Sequence, residues 1–212
     1  MAFLVFEGLD GSGKSTLIRG LCETLNQQSI DYHLTREPGG TELGEELRTL
    51  ILRTGHEAPT PRAELLLYQA IRAQHVDLVI EPCLKKGQWV LSDRFTASTY
   101  AFQVSARGLN SKDVEWLNAY AAKDVAPDLT VLLDLPTEKS AERMKQREDE
   151  SGAQKDRFEL EKKDFHEKVR QGYLHLSRRQ PEKWLVLDAC KKPEELLQEL
   201  LEYLREKQWL RS

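Results

Sequence analysis

The chain has 212 residues, enough for one domain with a full hydrophobic core. Charged residues make up 31% and hydrophobic ones 40%, and the net charge of -4 argues against nucleic acid or an anionic membrane as partner. Cys22, Cys83 and Cys190 are far apart and odd in number, which fits neither a disulfide framework nor a zinc site and points to a reducing cytoplasm.

Residues 3–6 form a short apolar run stopped by glycine, the mark of a strand buried on both faces. The run is too short for the apolar part of a signal peptide, and no stretch approaches the ~20 apolar residues of a membrane span, so neither is expected. Helical spacing follows over 14–26, with Leu17, Ile18, Leu21 and Leu25 on one stripe. Apolar runs at 32–34, 89–91, 129–133 and 184–187 predict further strands, and helices are predicted over 42–53, 60–86, 111–125, 137–149, 158–179 and 192–208. Strands alternating with helices predict an α/β fold whose parallel sheet is covered on both faces. Ligands on such folds sit at the carboxyl ends of the strands, where the motifs below fall.

Between the first strand and the first helix lies GLDGSGKS, in which Gly8, Gly13, Lys14 and Ser15 satisfy the pattern G-x-x-x-x-G-K-[ST]. In such a loop backbone N–H groups wrap nucleotide phosphates and the helix N-terminus adds partial positive charge. The lysine reaches the β- and γ-phosphates, and the serine hydroxyl joins the Mg2+ shell. Gly8, Asp10, Gly11, Ser12, Gly13, Lys14, Ser15 and Thr16 are therefore the candidate ATP-binding set. Asp10 is the less expected member, because phosphates repel a carboxylate. It either meets the acceptor's sugar or an Mg2+ water, or is an exposed aspartate that favours the turn.

TREPGGT follows the second strand and places Arg36 where it can clamp a phosphate, with Pro38 and two glycines shaping the turn. SDRF follows the third strand. Its Asp93 suits a water-mediated Mg2+ site and Arg94 is a second phosphate clamp, unless the two pair with each other on the surface. Tyr68 and Arg72 lie one helical turn apart, placed either to stack on and hydrogen-bond a planar base or to join the core. The segment AERMKQREDESGAQKDRFE carries Arg143, Arg147, Lys155 and Arg157 without apolar spacing after Met144. It reads as a solvated helix end or as a mobile lid bringing arginines onto the transferring phosphoryl group. His33, His56, His75, His166 and His175 form no metal-ligand spacing and are expected to have routine structural roles. The leucine stripe from Leu196 to Leu204 is expected to be core.

FEGLDGSGKST, TREPGGTELGEELR, RAQHV, SDRFTASTYAFQ, ARGL and DRFE, in this order and spacing, resemble the thymidylate kinases from about Phe3 to Asp188. The resemblance implies a P-loop NTPase fold with a five-stranded parallel sheet, helices on both faces, one domain over 1–212 and a mobile lid near 144–157. It implies transfer of the γ-phosphoryl of ATP to dTMP with Mg2+ at Ser15 and Asp93, and a homodimer. By position it puts Asp10 beside the acceptor's sugar and phosphate, and Arg36 and Arg94 on the acceptor phosphate. Tyr68 matches the ring that stacks on thymine and Arg72 the arginine that bonds a thymine carbonyl. Pro38, Ser98, Thr99, Phe102 and Gln103 match other positions around the acceptor. The loop has no arginine between Gly8 and Lys14, so the resemblance is to the bacterial type with catalytic lid arginines, here Arg143 and Arg147.

The chain departs from the family pattern at Ile71, where many members have aspartate, at Phe95 in place of tyrosine, and at Phe102 and Val104 within AFQV. Phe102 keeps the bulk that crowds the 2′ position of a ribonucleotide and loses the hydroxyl. A kinase for another nucleoside monophosphate or a deoxynucleoside shares the loop, as does an ATP-binding switch without catalysis. The acceptor-side arginines and the arginine-bearing lid argue against the switch.

Overall fold

The computed structural model describes residues 1–55, 57–152 and 155–211. His56, and Ala153 and Gln154 of the expected lid, lie outside the described residues. Five strands, β1 (Phe3–Gly8), β2 (Tyr32–Arg36), β3 (Trp89–Asp93), β4 (Leu129–Asp134) and β5 (Trp184–Asp188), form one parallel sheet in the order β2-β3-β1-β4-β5. Every residue of the central β1 is buried. Because side chains alternate along a strand, Leu4 and Phe6 join one core and Phe3 and Val5 another, which is why the strand reads as continuously apolar.

On the Leu4 side lie α1 (Lys14–Gln27) and α9 (Pro193–Glu206), whose Leu17, Leu21, Leu200 and Leu204 share a cluster with Leu91 and Val131. The carboxy-terminal leucine stripe is thus core. The other helices are α2 (Glu42–Leu52), α3 (Pro61–His75), α4 (Glu81–Lys85), α5 (Thr96–Thr99), α6 (Ser111–Ala122), α7 (Thr137–Ser151) and α8 (Lys163–Arg179).

Three stretches differ from the sequence-based expectation. The helix expected over 60–86 is α3 and α4 joined by a π-helical turn, Val76–Ile80. Pro82 has no N–H to give and its ring would strike the carbonyl four residues back, so the ladder widens ahead of it. The helix α5 with its π-helical continuation Tyr100–Ala106 was not anticipated. The wide turns break the 3.6-residue spacing, and the β-branched and aromatic residues of TASTYAF are weak helix formers. Finally, α8 begins at Lys163 rather than 158. Ahead of it Asp156 Oδ1 accepts from the N–H groups of Phe158 (2.8 Å) and Glu159 (3.0 Å), an aspartate-closed turn that takes the backbone out of helix.

Candidate active site

The strand register brings the ends of β1, β2 and β3 to one edge: Phe6 pairs with Asp93, and Asp93 with Arg36. From this edge the loop 8–15 leaves β1. Gly8 has φ 140°, and a Cβ on it would lie 2.6 Å from the Leu133 carbonyl oxygen, so no other residue fits. Gly13, also left-handed, starts α1 with no side-chain cap. The first N–H groups of the helix are left for an anion.

Lys14 is buried, with Nζ donating to the carbonyls of Gly8 (3.1 Å) and Leu9 (3.2 Å). Burial, with Arg94 nearby, lowers its pKa against the pull of Asp93, Asp10 and Glu7. Two buried atoms beside it have no hydrogen-bond partner, Ser12 Oγ and Asp93 Oδ1. An orphaned buried carboxylate oxygen is costly, and at this loop it fits hydrated Mg2+, as Ser12 Oγ fits a phosphate. Ser15 shares an open groove with Asp93 and Arg36, and Thr16 is exposed on the first turn of α1.

A cleft beside the loop is lined by Asp10, Pro38, Tyr68, Arg72, Arg94, Ser98, Thr99, Phe102 and Gln103. The acceptor-side positions named from the sequence thus converge, apart from Arg36. That side chain is half exposed, faces the groove shared with Ser15, and pairs with Glu45 at 2.7 Å.

Arg94 stands where loop and cleft meet. Its φ of 75° is unusual for a residue with a side chain, and its N–H donates to Phe6 O at 2.9 Å. Nη2 bonds Asp10 Oδ1 at 2.9 Å, while Nη1 donates to Tyr173 Oη at 2.8 Å and Ser98 Oγ at 3.3 Å. Burial would lower the Arg94 pKa, but Tyr173, Asp10, Asp93 and Glu7 more than reverse this and keep it well above the ordinary value. Burial likewise opposes ionisation of Asp10, and Arg94 with Lys14 outweighs it, holding the carboxyl below its usual range.

Arg72 is fully buried, and all its N–H donors have protein partners. It pairs with Glu37 at 2.7 Å and donates to Thr99 (2.9 Å), Asn118 (2.8 Å) and the Phe95 carbonyl (3.0 Å), with its guanidinium 5.2 Å from the Phe95 ring centre. Glu37 also meets His75 Nδ1, whose Nε2 meets Thr35, so this histidine is a buried structural link. Gln103 donates to the buried Glu64 at 2.8 Å. Tyr68 and Phe102 both pack on Phe158, their centroids 6.3 and 5.6 Å away.

On α7, Ser140 Oγ donates to the Asp10 carbonyl (2.6 Å), and Arg143 bridges the carbonyls of Gly11 (3.1 Å) and Ala189 (2.9 Å). Arg147, one turn on, is half exposed and pairs with Glu159 at 2.6 Å. Lys155 pairs with Glu148, and Arg157 turns the other way to Glu64.

A sequence model of the thymidylate kinases matches residues 6–200. The chain belongs to the thymidylate kinase family. It is 51% identical over 210 residues to a thymidylate kinase of Bdellovibrio bacteriovorus, covering 99% of this chain and 98% of the relative. It is 47% identical over 199 residues to one of Desulfovibrio desulfuricans (92% and 91% covered) and 44% over 192 residues to one of Trichlorobacter lovleyi (90% and 91%). As a thymidylate kinase it has the P-loop NTPase fold and is a nucleoside monophosphate kinase, a phosphotransferase with ATP as donor and dTMP as acceptor. Among the described residues no helix is long and apolar enough to cross a membrane.

Residues of this site that the sequence did not single out include Arg48, Phe158, Glu7 and Tyr173. Arg48 lines the cleft and donates to the Pro38 carbonyl at 2.8 Å, and Phe158 forms part of the cleft wall. Glu7 and Tyr173 lie behind Arg94; burial raises the pKa of both. Glu7 did carry a signal, a carboxylate inside an apolar strand with no partner nearby in sequence.

Proposed function

We propose that the loop holds the ATP phosphates and the adjoining cleft holds dTMP, with the Asp10–Arg94 pair at their junction. That pair, one member from each side, is the observation that carries the assignment of roles. Lys14, Ser12 Oγ and the backbone N–H groups of the loop orient the β- and γ-phosphates. Ser15 and, through water, Asp93 would hold Mg2+, which when bound neutralises charge on the donor phosphates. Arg94 presents the acceptor phosphate in line, and Arg36 joins it by releasing Glu45. The attacking oxygen is already ionised, so no general base is needed and catalysis is positioning and charge stabilisation. Arg143 and Arg147 stabilise the charge on the transferring group as a lid over 144–157 closes on the single domain.

Tyr68 stacks on the base, with Pro38, Ser98 and Gln103 around it. A thymine carbonyl reaching Arg72 competes with Thr99 and Asn118 for Nη1. Phe102 occupies the side where a 2′-hydroxyl would lie. We assign the chain to the cytoplasm on its three unpaired cysteines. A homodimer is supported by apolar surface on two neighbouring helices, Leu66 on α3 and the stacked Trp116 and Tyr120 on α6, which are 55%, 65% and 75% exposed.

The test is ADP release measured across dTMP, dUMP, UMP, dCMP and thymidine. dTMP is expected to be the best acceptor, UMP a poor one, and thymidine inert for want of an anion to meet Arg94. Equal turnover of UMP and dTMP would remove the role of Phe102, and ADP release independent of any acceptor would remove the kinase reading of the cleft. Lys14→Ala is expected to lower turnover by about a hundredfold or more while leaving the fold intact.

A further inference from the structure

Arg94 carries a buried edge as well as the one it turns to the cleft, and that edge ends on a group without a role so far. Glu7 sits on β1 on the same face as Phe3 and Val5, with none of its surface exposed. Its Oε1 accepts from the N–H groups of Phe95 (3.0 Å) and Ser98 (3.1 Å), and Oε2 accepts from Ser98 Oγ at 2.7 Å. Ser98 Oγ is in turn 2.8 Å from Tyr173 Oη, which accepts from Arg94 Nη1.

A guanidinium can only donate, so the phenol oxygen accepts from Arg94; with the Ser98 hydroxyl donating to Glu7, the Ser98 oxygen is left to take the Tyr173 proton. The chain Arg94 to Tyr173 to Ser98 to Glu7 closes properly on an ionised carboxylate; burial pushes the Glu7 carboxyl up, and Arg94 and the three donors that converge on its two oxygens work against that push. Glu7 Oε2 itself is 3.9 Å from Arg94 Nη1, within direct electrostatic reach in a buried setting. The same carboxylate fixes the backbone on the far side of Arg94 through Phe95, while Ser92 Oγ bonds the Arg94 carbonyl at 2.8 Å.

We propose that Glu7 is a positioning residue for phosphoryl transfer: through Ser98 and Tyr173 its carboxylate locks the inner edge of Arg94, leaving Nη2 aimed at the acceptor. The inference rests on the reading that Arg94 meets the acceptor phosphate. It assigns α8, through Tyr173, a part in acceptor binding although Tyr173 is not in the cleft wall.

Glu7→Gln is the informative change, since the amide keeps an oxygen for the Phe95 and Ser98 N–H groups but loses the charge and reverses the bond to Ser98. Steady-state constants for both substrates are measured for Glu7→Gln, Tyr173→Phe, the double variant and Arg94→Ala. The expected result is a rise of about tenfold in KM for dTMP in each of the first two, the scale of one charge-assisted hydrogen bond, with KM for ATP within about twofold. The double variant should be no worse than the poorer single one, because both cut one chain. Loss of thermal stability with both KM values unchanged, or additive losses in the double variant, would mean that Glu7 is only structural and overturns the proposal. Should Glu7→Gln not fold, Tyr173→Phe alone decides, an unchanged KM for dTMP again overturning it. If Arg94→Ala itself leaves KM for dTMP unmoved, the underlying acceptor-site reading fails and takes this inference with it.

Discussion

Arg94 and Asp10 hold each other by charge at the point where donor and acceptor phosphates would meet, and the pair has a pH signature. Burial alone would favour a neutral Asp10, but Arg94 and Lys14 keep its folded-state pKa below the unfolded value. The resulting stability is fully present above the ordinary carboxylate range and is lost as pH falls through the depressed value. Asp10→Asn should therefore unfold at a lower temperature than the wild type at pH 7, and the gap should narrow as pH is lowered below about 4. Thermal melts of both proteins across that range check this, and a gap that widens on acidification would contradict the pairing. Of these residues Asp10, Lys14 and Arg94 were legible because each falls in a short contiguous motif. Glu7 and Tyr173 were not, because Glu7 lies 91 residues from Ser98 and Tyr173 79 from Arg94, and no local pattern encodes such a meeting.

At the scale of elements, the stretch between α7 and α8 divides at Arg157. The family resemblance implies a lid that runs to about that residue, yet Arg157 is tied down on three sides. Its N–H donates to Leu52 O (3.3 Å), its Nε to Ile51 O (3.0 Å), and its Nη2 pairs with the buried Glu64 (2.7 Å). Phe158 beside it enters the cleft wall against Tyr68 and Phe102. Arg157 is thus an anchor at the lid's end, and composition could not reveal this because an arginine on a buried glutamate looks like any other charge in sequence. Arg157→Ala should raise KM for dTMP more than KM for ATP by loosening Phe158. It should also cost about 1–3 kcal/mol, since Glu64 keeps Arg107 and Gln103 as partners. Urea unfolding and two-substrate kinetics measure both effects. The turn order, strand positions and most helices were legible from periodicity; the π-helical turns were not, because they break the spacing on which that reading depends.

For the whole molecule, the sheet order puts the proposed acceptor cleft and the α7 side of the nucleotide loop on opposite sides of β1. Pro38 after β2 and Arg94 to Gln103 after β3 lie on one side of β1, and Ser140 and Arg143 after β4 and Ala189 after β5 on the other. The loop from β1 serves both. Neither of these uses the outer surface of α3 and α6 that carries Leu66, Trp116 and Tyr120, so that surface can pair with a second copy. Trp116→Lys is expected to shift the protein from dimer to monomer in light scattering after gel filtration, and a monomeric wild type would remove the dimer proposal.

The central place of β1 also has a consequence during synthesis. This strand is made before both of its hydrogen-bonded neighbours, β3, beginning at Trp89, and β4, beginning at Leu129. Such distant pairing is entropically slow, and an unpaired apolar strand is prone to aggregate. The nascent chain cannot complete the setting of its nucleotide loop until β4 has been made, since Gly8 pairs with Leu133. Translational pausing before β4 would leave a fully buried apolar strand waiting, a vulnerability set by topology alone.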